Sequence, residues 1–210
     1  MKIPTRFLPI AIMILVPALF RLVPYILGAL GFGDVHDVSA FRWNFSPVSA
    51  LFLFGGAKLA DRRSAYLVPL AAMLLSDLGI AALMGDLSMG LHAMIPVIYG
   101  SYALMVWLGT QLRQSRNPWA IAGAGFAGEV VFFIITNFAN WVVQTGTYPH
   151  TFGGLAACYI AGIPFFRNSL VGMALYGSLL FGGFALVERK FGGAQAAPAL
   201  VPNSNQPSGA

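Results

Sequence analysis

Residues 119–143 read WAIAGAGFAGEVVFFIITNFANWVV, and this stretch decides the class of fold. It contains a single charged residue, Glu129. Coiled as a helix at about 1.5 Å per residue, it is longer than the roughly 30 Å hydrocarbon core of a bilayer. A nearly uncharged segment of this length is typical of a helix that spans a membrane.

The composition of the whole chain supports the same interpretation. Of its 210 residues, 58% are hydrophobic and 9% are charged, whereas a soluble domain carries about 25% charged residues. So few charges cannot coat a surface that faces water, which excludes a soluble enzyme. The single cysteine excludes an internal disulfide framework. The chain is therefore predicted to be a polytopic membrane protein.

Apolar segments recur along the chain and predict an all-α membrane protein with six transmembrane helices. The predicted spans cover residues 7–31, 47–60, 65–84, 92–112, 119–143 and 168–187. The second is short for a span, so it either extends into the aromatic residues before it or is a half-helix buried among its neighbours. The first begins like a signal peptide, but Arg21 interrupts its apolar run without an A-x-A site, and we expect it to be retained.

Two stretches lie outside the predicted spans without being simple polar loops. Residues 153–166 are apolar but too short to cross a bilayer comfortably, which indicates a re-entrant or interfacial segment before the last helix. Residues 191–210 are uncharged and rich in Ala, Pro, Asn, Ser and Gly, which predicts a disordered C-terminal tail. Residues 1–190 then form a single integral-membrane domain.

The basic residues set the predicted orientation. They stand between the apolar segments, as expected where Lys and Arg remain cytoplasmic, whereas a nucleic-acid-binding protein would cluster them on one face. With the N-terminus inside, most of the 12 Lys and Arg lie on the cytoplasmic side. These are Lys2, Arg6, Lys58, Arg62, Arg63, Arg113, Arg116, Arg189 and Lys190. Both termini are therefore predicted to be cytoplasmic, and no nucleic-acid partner is expected.

Three ionisable residues, Arg21, Asp77 and Glu129, lie inside predicted spans. At about 1.5 Å per residue, each is about 15–21 Å from the cytoplasmic end of its span. A charge at this depth is expensive unless it is paired or hydrated, so each is a candidate functional residue. Either Arg21 pairs with one of the two carboxylates only to lock the helices together, or the three line a site that binds a solute.

Further polar residues follow Glu129 along the same span. At about 100° per residue, Thr136 and Asn140 share its face, and Asn137 lies on the flank of that face. Such a stripe cannot face lipid, so it either hydrogen-bonds to neighbouring helices or lines a cavity. We favour a cavity that opens outward. Its predicted cap is a set of aromatic and basic side chains on the outer side, which could equally form an interfacial belt: Trp43, Tyr148, Tyr159 and Arg167.

The sequence lacks the motifs of the common catalytic and metal sites. It contains no G-x-S-x-G elbow, no H-E-x-x-H and no Walker-type phosphate loop. The three histidines and Cys158 are not spaced as metal ligands. We therefore predict no catalytic residue, no metal site and no cofactor.

Several motifs resemble a family of small bacterial membrane proteins of unknown function, whose members are labelled as transport proteins. The motifs are RLVP at 21–24, NFSPVSA at 44–50, PLAAMLLSD at 69–77, NF at 137–138 with Trp141, and YP at 148–149 through IPFFRN at 163–168. The resemblance covers about residues 21–183. That family is in turn similar to the substrate-binding S components of energy-coupling-factor vitamin transporters, which are six-helix membrane proteins.

The resemblance implies a bacterial inner-membrane protein that binds a small organic micronutrient from outside and helps to move it inward. An S component would dock on an energy-coupling membrane and ATPase module. The first helix lacks the A-x-x-x-A docking motif of S components, so a solitary carrier is the alternative. A membrane-embedded enzyme or accessory subunit that uses Asp77 and Glu129 as acid and base is the rival function, and a purely structural subunit is a third.

Overall fold

A computed structural model of the chain describes residues 7–32, 46–59, 61–143 and 146–191, with side chains described from residue 14 to 190. These residues form helices and no strands, which confirms the predicted all-α class. The helices are α1 Phe7–Ala29, α2 Val48–Lys58, α3 Arg62–Met84, α4 Leu87–Gly90, α5 Ile95–Gln111, α6 Pro118–Val143 and α7 Phe152–Phe191. The predicted tail lies outside the described residues, except for Phe191 at the end of α7.

Four stretches are long and apolar enough to cross a membrane: Arg62–Met84, Leu87–Gln111, Pro118–Val143 and Phe152–Lys190. Two further apolar helical stretches, Ile14–Ala29 and Val48–Lys58, are shorter. The helices are thus consistent with a membrane protein. That all six cross the membrane stays a prediction.

The short helix α2 lies at the centre of the bundle. Every residue from Val48 to Ala57 is buried, as expected for a helix that is hydrophobic on all sides. Helices α1, α3, α5, α6 and α7 each contact it. Neighbouring helices in this set also contact one another, and the rings of Phe20 and Tyr176, 5.7 Å apart, join α1 to α7. With 11 residues, α2 is about 16 Å long, which matches the predicted buried half-helix.

Two glycines allow α2 to approach α5 closely. A Cβ atom on Gly56 would collide with the Val106 carbonyl oxygen of α5, and one on Gly109 would collide with the Leu53 carbonyl oxygen of α2. One turn away, the rings of Phe52 and Tyr102 stack with centroids 4.5 Å apart. The two helix backbones are therefore in direct contact at Gly56 and Gly109, where a larger side chain would not fit.

The cytoplasmic end of α2, in the predicted orientation, is held by a basic residue. Arg113 donates from Nε to the Gly56 carbonyl at 3.2 Å and from Nη2 to the Leu59 carbonyl at 3.1 Å. A cation is favourable there because the last carbonyls of a helix carry partial negative charge. The next helix begins at once: Asp61 caps α3 by accepting from the Ser64 backbone N–H at 2.8 Å. Hydrogen bonds from Ser64 lower the pKa of the Asp61 carboxyl.

The last helix differs from its prediction. The sequence predicted a separate segment at residues 153–166 and a helix that begins at 168, but α7 runs without interruption through both and includes Pro164. The predicted boundary is wrong because residues 153–166, too short to cross a bilayer by themselves, are the first part of a longer helix that packs against α6. A Cβ on Gly162 would meet the side chains of Asn137 and Phe133 on α6. The interfacial position of residues 153–166 stays a prediction.

We predict that a methyl group at Gly109 destabilises the bundle, because it would separate α2 from α5. Gly109→Ala should lower the free energy of unfolding by about 1–3 kcal/mol, as overpacking does in other cores. Gly100 on the same helix has no atom within 4 Å of its would-be Cβ, so Gly100→Ala should be neutral or slightly stabilising. Detergent-induced unfolding followed by circular dichroism measures both. Equal effects at the two positions would contradict the proposed backbone contact.

Candidate functional site

An ion pair joins α1 to α3 inside the bundle. Arg21 Nη2 lies 2.7 Å from Asp77 Oδ1. The second guanidinium nitrogen, Nη1, donates to Ser76 Oγ at 2.5 Å and to the Met73 carbonyl at 3.4 Å. Of the two pairings that the sequence left open, the structure shows Arg21 with Asp77.

The Asp77 carboxylate is nearly saturated with donors. Its second oxygen, Oδ2, accepts a hydrogen bond from the Tyr99 hydroxyl of α5 at 2.7 Å. Asp77 is 4% exposed, and Arg21 is half-buried. Three helices thus meet at one buried carboxylate whose two oxygens are both engaged. The number of these contacts is sufficient to explain the ion pair as a structural lock that holds the three helices together, whether or not it has a further role.

Glu129 of α6 lies in a different environment. It is 1% exposed, and its Oε1 atom has no hydrogen-bond partner. Among the described residues, no other buried side-chain nitrogen or oxygen lacks a partner. The Ser49 hydroxyl of α2 lies beside the Glu129 carboxyl. A buried polar atom without a partner loses its hydration and gains nothing in return, so it calls for an explanation.

Tyr102 lies within electrostatic range of both carboxylates. Its phenol is beside the Ser49 hydroxyl and close enough to Glu129, Arg21 and Asp77 to feel their charges. Tyr99 and Tyr102 are three residues apart on α5 and therefore share a face. The two tyrosines connect the ion pair to Glu129 along that face.

The start of α2 determines the depth at which these groups meet. Gly125 faces both α2 and α7, because a Cβ there would contact Leu53 and Met173. Glu129 is one turn further along the same face of α6. It therefore lies level with Ser49, in the first turn of α2, where unpaired backbone N–H groups give a helix partial positive charge. The site can accept a proton, a cation or an N–H or O–H donor of a solute.

The outer part of the predicted stripe packs α6 against α7. The side-chain amide of Asn137 donates to the Phe133 carbonyl at 2.8 Å, and that of Asn140 lies 3.7 Å from the sulfur of Cys158. The Tyr159 hydroxyl donates to the Ile134 carbonyl at 2.8 Å. The polar groups of these residues are thus engaged in contacts within α6 or between α6 and α7.

Tyr148, one residue of the predicted cap, lies far from the interior group. Tyr148 lines an open groove of about 370 Å³ with Gly146, Pro149 and His150. This groove follows the end of α6, and at about 1.5 Å per residue it is roughly 20 Å along that helix from Glu129. Arg167 is exposed on α7, and Trp43 lies outside the described residues.

Sequence reasoning missed the hydroxyl groups that connect the two carboxylates. Ser49, Ser76, Tyr99 and Tyr102 were not selected, since uncharged hydroxyls are common in membrane helices. The spacing of the two tyrosines was a usable signal, because it places both phenols on one face of a span. In the described part of the chain, no three His, Cys, Asp or Glu side chains lie close enough together to hold a metal ion.

The chain belongs to DUF6580, a family of unknown function whose sequence pattern matches residues 1–200. No curated protein and no solved structure matches it. The resemblance to an uncharacterised family is therefore confirmed. The transport label of that family and its similarity to S components stay predictions.

We predict that Arg21 and Asp77 stabilise the fold only as a pair. Arg21→Met leaves a buried carboxylate without its cation and should lower the free energy of unfolding by about 3–5 kcal/mol. The double variant Arg21→Met, Asp77→Leu removes both charges and should recover most of that loss. Arg116 is exposed, so Arg116→Met serves as the control with little effect. A double variant that is less stable than the single one would contradict the pairing.

Proposed function

We propose that the protein is a multi-pass carrier, or the substrate-binding subunit of one, that takes up a small organic micronutrient from outside. The observation that carries the proposal is the Oε1 atom of Glu129, which is buried without a hydrogen-bond partner. Glu129, on α6, lies level with the first turn of the central half-helix α2. In the proposed setting, the membrane is the bacterial inner membrane and both termini are cytoplasmic.

The two carboxylates support different parts of this proposal. A structural lock accounts for Asp77, because both of its oxygens are engaged. It does not account for Glu129, whose buried oxygen stabilises nothing while it lacks a partner. An acidic residue inside the membrane that does not stabilise the fold is by default a candidate for binding or transport. A solute group that donates a hydrogen bond or carries positive charge would satisfy the free oxygen.

The length of α2 supports a path that leads to this oxygen from outside. A helix about 16 Å long fills about half of a 30 Å core. Short or interrupted helices whose ends meet near the middle of the membrane mark the binding sites of many secondary transporters. In the proposed orientation, α2 fills the cytoplasmic half of the bundle axis, and the solute occupies the outer half.

The remaining predicted site residues belong to the outer part of the proposed path. Asn137 and Asn140 lie further out along α6 than Glu129, and Tyr159 lies beside them on α7. Tyr148 and Trp43 would form the outer rim, whereas Arg167 follows Phe166, whose ring packs against that of Phe133 on α6, and so lies deeper than the sequence predicted. Solutes would pass this rim before they reach the ion pair and Glu129. The protein would dock on an energy-coupling membrane and ATPase module as its partner. A solitary carrier would instead be driven by an ion gradient.

Mass spectrometry of protein purified in mild detergent tests the proposal. We expect a small organic compound to remain bound to the wild type and to be released unchanged on denaturation. Cells that express the wild type should take up that compound, and the folded double variant Arg21→Met, Asp77→Leu should not, because two polar side chains of the proposed site are lost. Recovered uptake in this variant would remove the ion pair from the proposed site.

Two further results of the same experiment would contradict a carrier. A compound that is chemically converted during incubation with the purified protein would favour the membrane-embedded enzyme, with Asp77 and Glu129 as acid and base. A protein that retains no compound and supports no uptake of the solutes supplied would favour the purely structural subunit.

A further inference from the structure

Among the residues that the structure describes, no cation makes a hydrogen bond or an ion pair with the Glu129 carboxyl. Arg21, the one basic residue within electrostatic range of the neighbouring Tyr102, is held by Asp77 at 2.7 Å. A lone carboxylate removed from water is so unfavourable that such a group is held either as the neutral acid or with a bound cation. The geometry therefore calls for a positive partner that the described residues do not supply.

We propose that this partner is a proton, and that Glu129 is the group through which the carrier is linked to the proton gradient. The inference rests on the proposed function for the link to solute movement. The binding and release of the proton at Glu129 can be tested without it.

The groups that face Glu129 suit a proton better than a metal ion. Hard metal cations such as Ca²⁺ need six or more oxygen ligands, whereas two hydroxyls, Ser49 of α2 and Tyr102 of α5, lie near this carboxyl. A hydroxyl both donates and accepts. It can therefore donate to the carboxylate or accept from the carboxylic acid, and the same two side chains serve both states.

The charged and titratable groups on the surrounding helices leave Glu129 free to change its own charge. On α5 the nearest is the Tyr102 phenol; on α1 and α3 they are Arg21 and Asp77, which neutralise each other. On α2 the nearest polar group is uncharged, and its Lys58 lies at the opposite end. The charged residues of α7 are all exposed: Arg167, Glu188, Arg189 and Lys190.

The proposed step is a simple proton transfer. A hydronium ion in water that enters from the outer side transfers a proton to the Glu129 carboxylate, either directly or through the neighbouring hydroxyls. One O–H bond of the hydronium ion breaks, one O–H bond forms at Glu129, a neutral water remains, and the site changes from one negative charge to none. Release transfers the proton to a water molecule and restores the carboxylate. The neutral acid still accepts a hydrogen bond from a solute at its carbonyl oxygen, and it removes the buried charge that would oppose binding without a cation. Proton and solute can therefore be bound together, as uptake driven by an inward proton gradient requires.

The chain offers an unusually direct test, because Glu129 and Glu188 are its only glutamates. Full-length protein with ¹³C in the glutamate side chains is reconstituted in lipid and studied by infrared spectroscopy over a range of pH in H₂O and D₂O. The isotope shift separates glutamate from aspartate bands without any substitution. Glu188 is exposed on α7, so Glu188→Gln removes its signal and leaves that of Glu129.

We expect a ¹³C-shifted carboxylic-acid C=O band that disappears reversibly as the pH rises, persists in Glu188→Gln, is absent in Glu129→Gln and moves in D₂O. If Glu129→Gln does not fold, the labelled Glu188→Gln protein alone carries the test. A Glu129 band that neither titrates nor exchanges while the protein stays folded, or the absence of any such band, would overturn the proposal. A titrating Glu129 in a protein that binds no solute would contradict the carrier function but leave the proton site intact.

Discussion

The backbone contact between Gly56 and Gly109 is the constraint on which the rest of the structure depends. It holds α2 against α5 and so keeps an 11-residue helix in the middle of the bundle, with the other long helices around it. Because α2 begins in the middle of the bundle, its first turn lies beside side chains from α5 and α6. The polar groups of the interior therefore meet at a depth that α2 determines.

Two buried acids at that depth have opposite surroundings. Asp77 is bound by Arg21 and by Tyr99, so its charge is neutralised and its geometry is fixed. Glu129 is more deeply buried and has a free oxygen. A bundle stabilised only by packing would gain from an apolar residue at this position, because burial of a polar group without a partner is unfavourable. This contrast favours a site in which a bound proton or solute supplies the missing partner of the Glu129 oxygen.

Much of this arrangement follows from the sequence, for physical reasons. The length and polarity of residues 119–143 predict a long apolar helix, and the opposite charges of Arg21 and Asp77 at similar depths predict a pair. The choice of Asp77 over Glu129 could not be predicted, because it depends on which helices are neighbours across the bundle. The continuity of α7 was not predicted because residues 153–166 are too short to cross a bilayer by themselves, and the contact of Gly162 with α6 cannot be seen in the sequence. Ser49 carries no distinctive signal until α2 is placed among its neighbours, whereas the spacing of Tyr99 and Tyr102 places both phenols on one face of a span.

The central claim is that the first turn of α2, beside Glu129, can be reached from outside the membrane. Cysteine accessibility tests it most directly, because Cys158 is the single cysteine and Cys158→Ala gives a thiol-free background. In that background, a small membrane-impermeant thiol reagent added from outside should modify Ser49→Cys but not Ala57→Cys, which is buried at the other end of α2. A Ser49→Cys protein that reacts only after denaturation, or that reacts no faster than Ala57→Cys, would contradict the account.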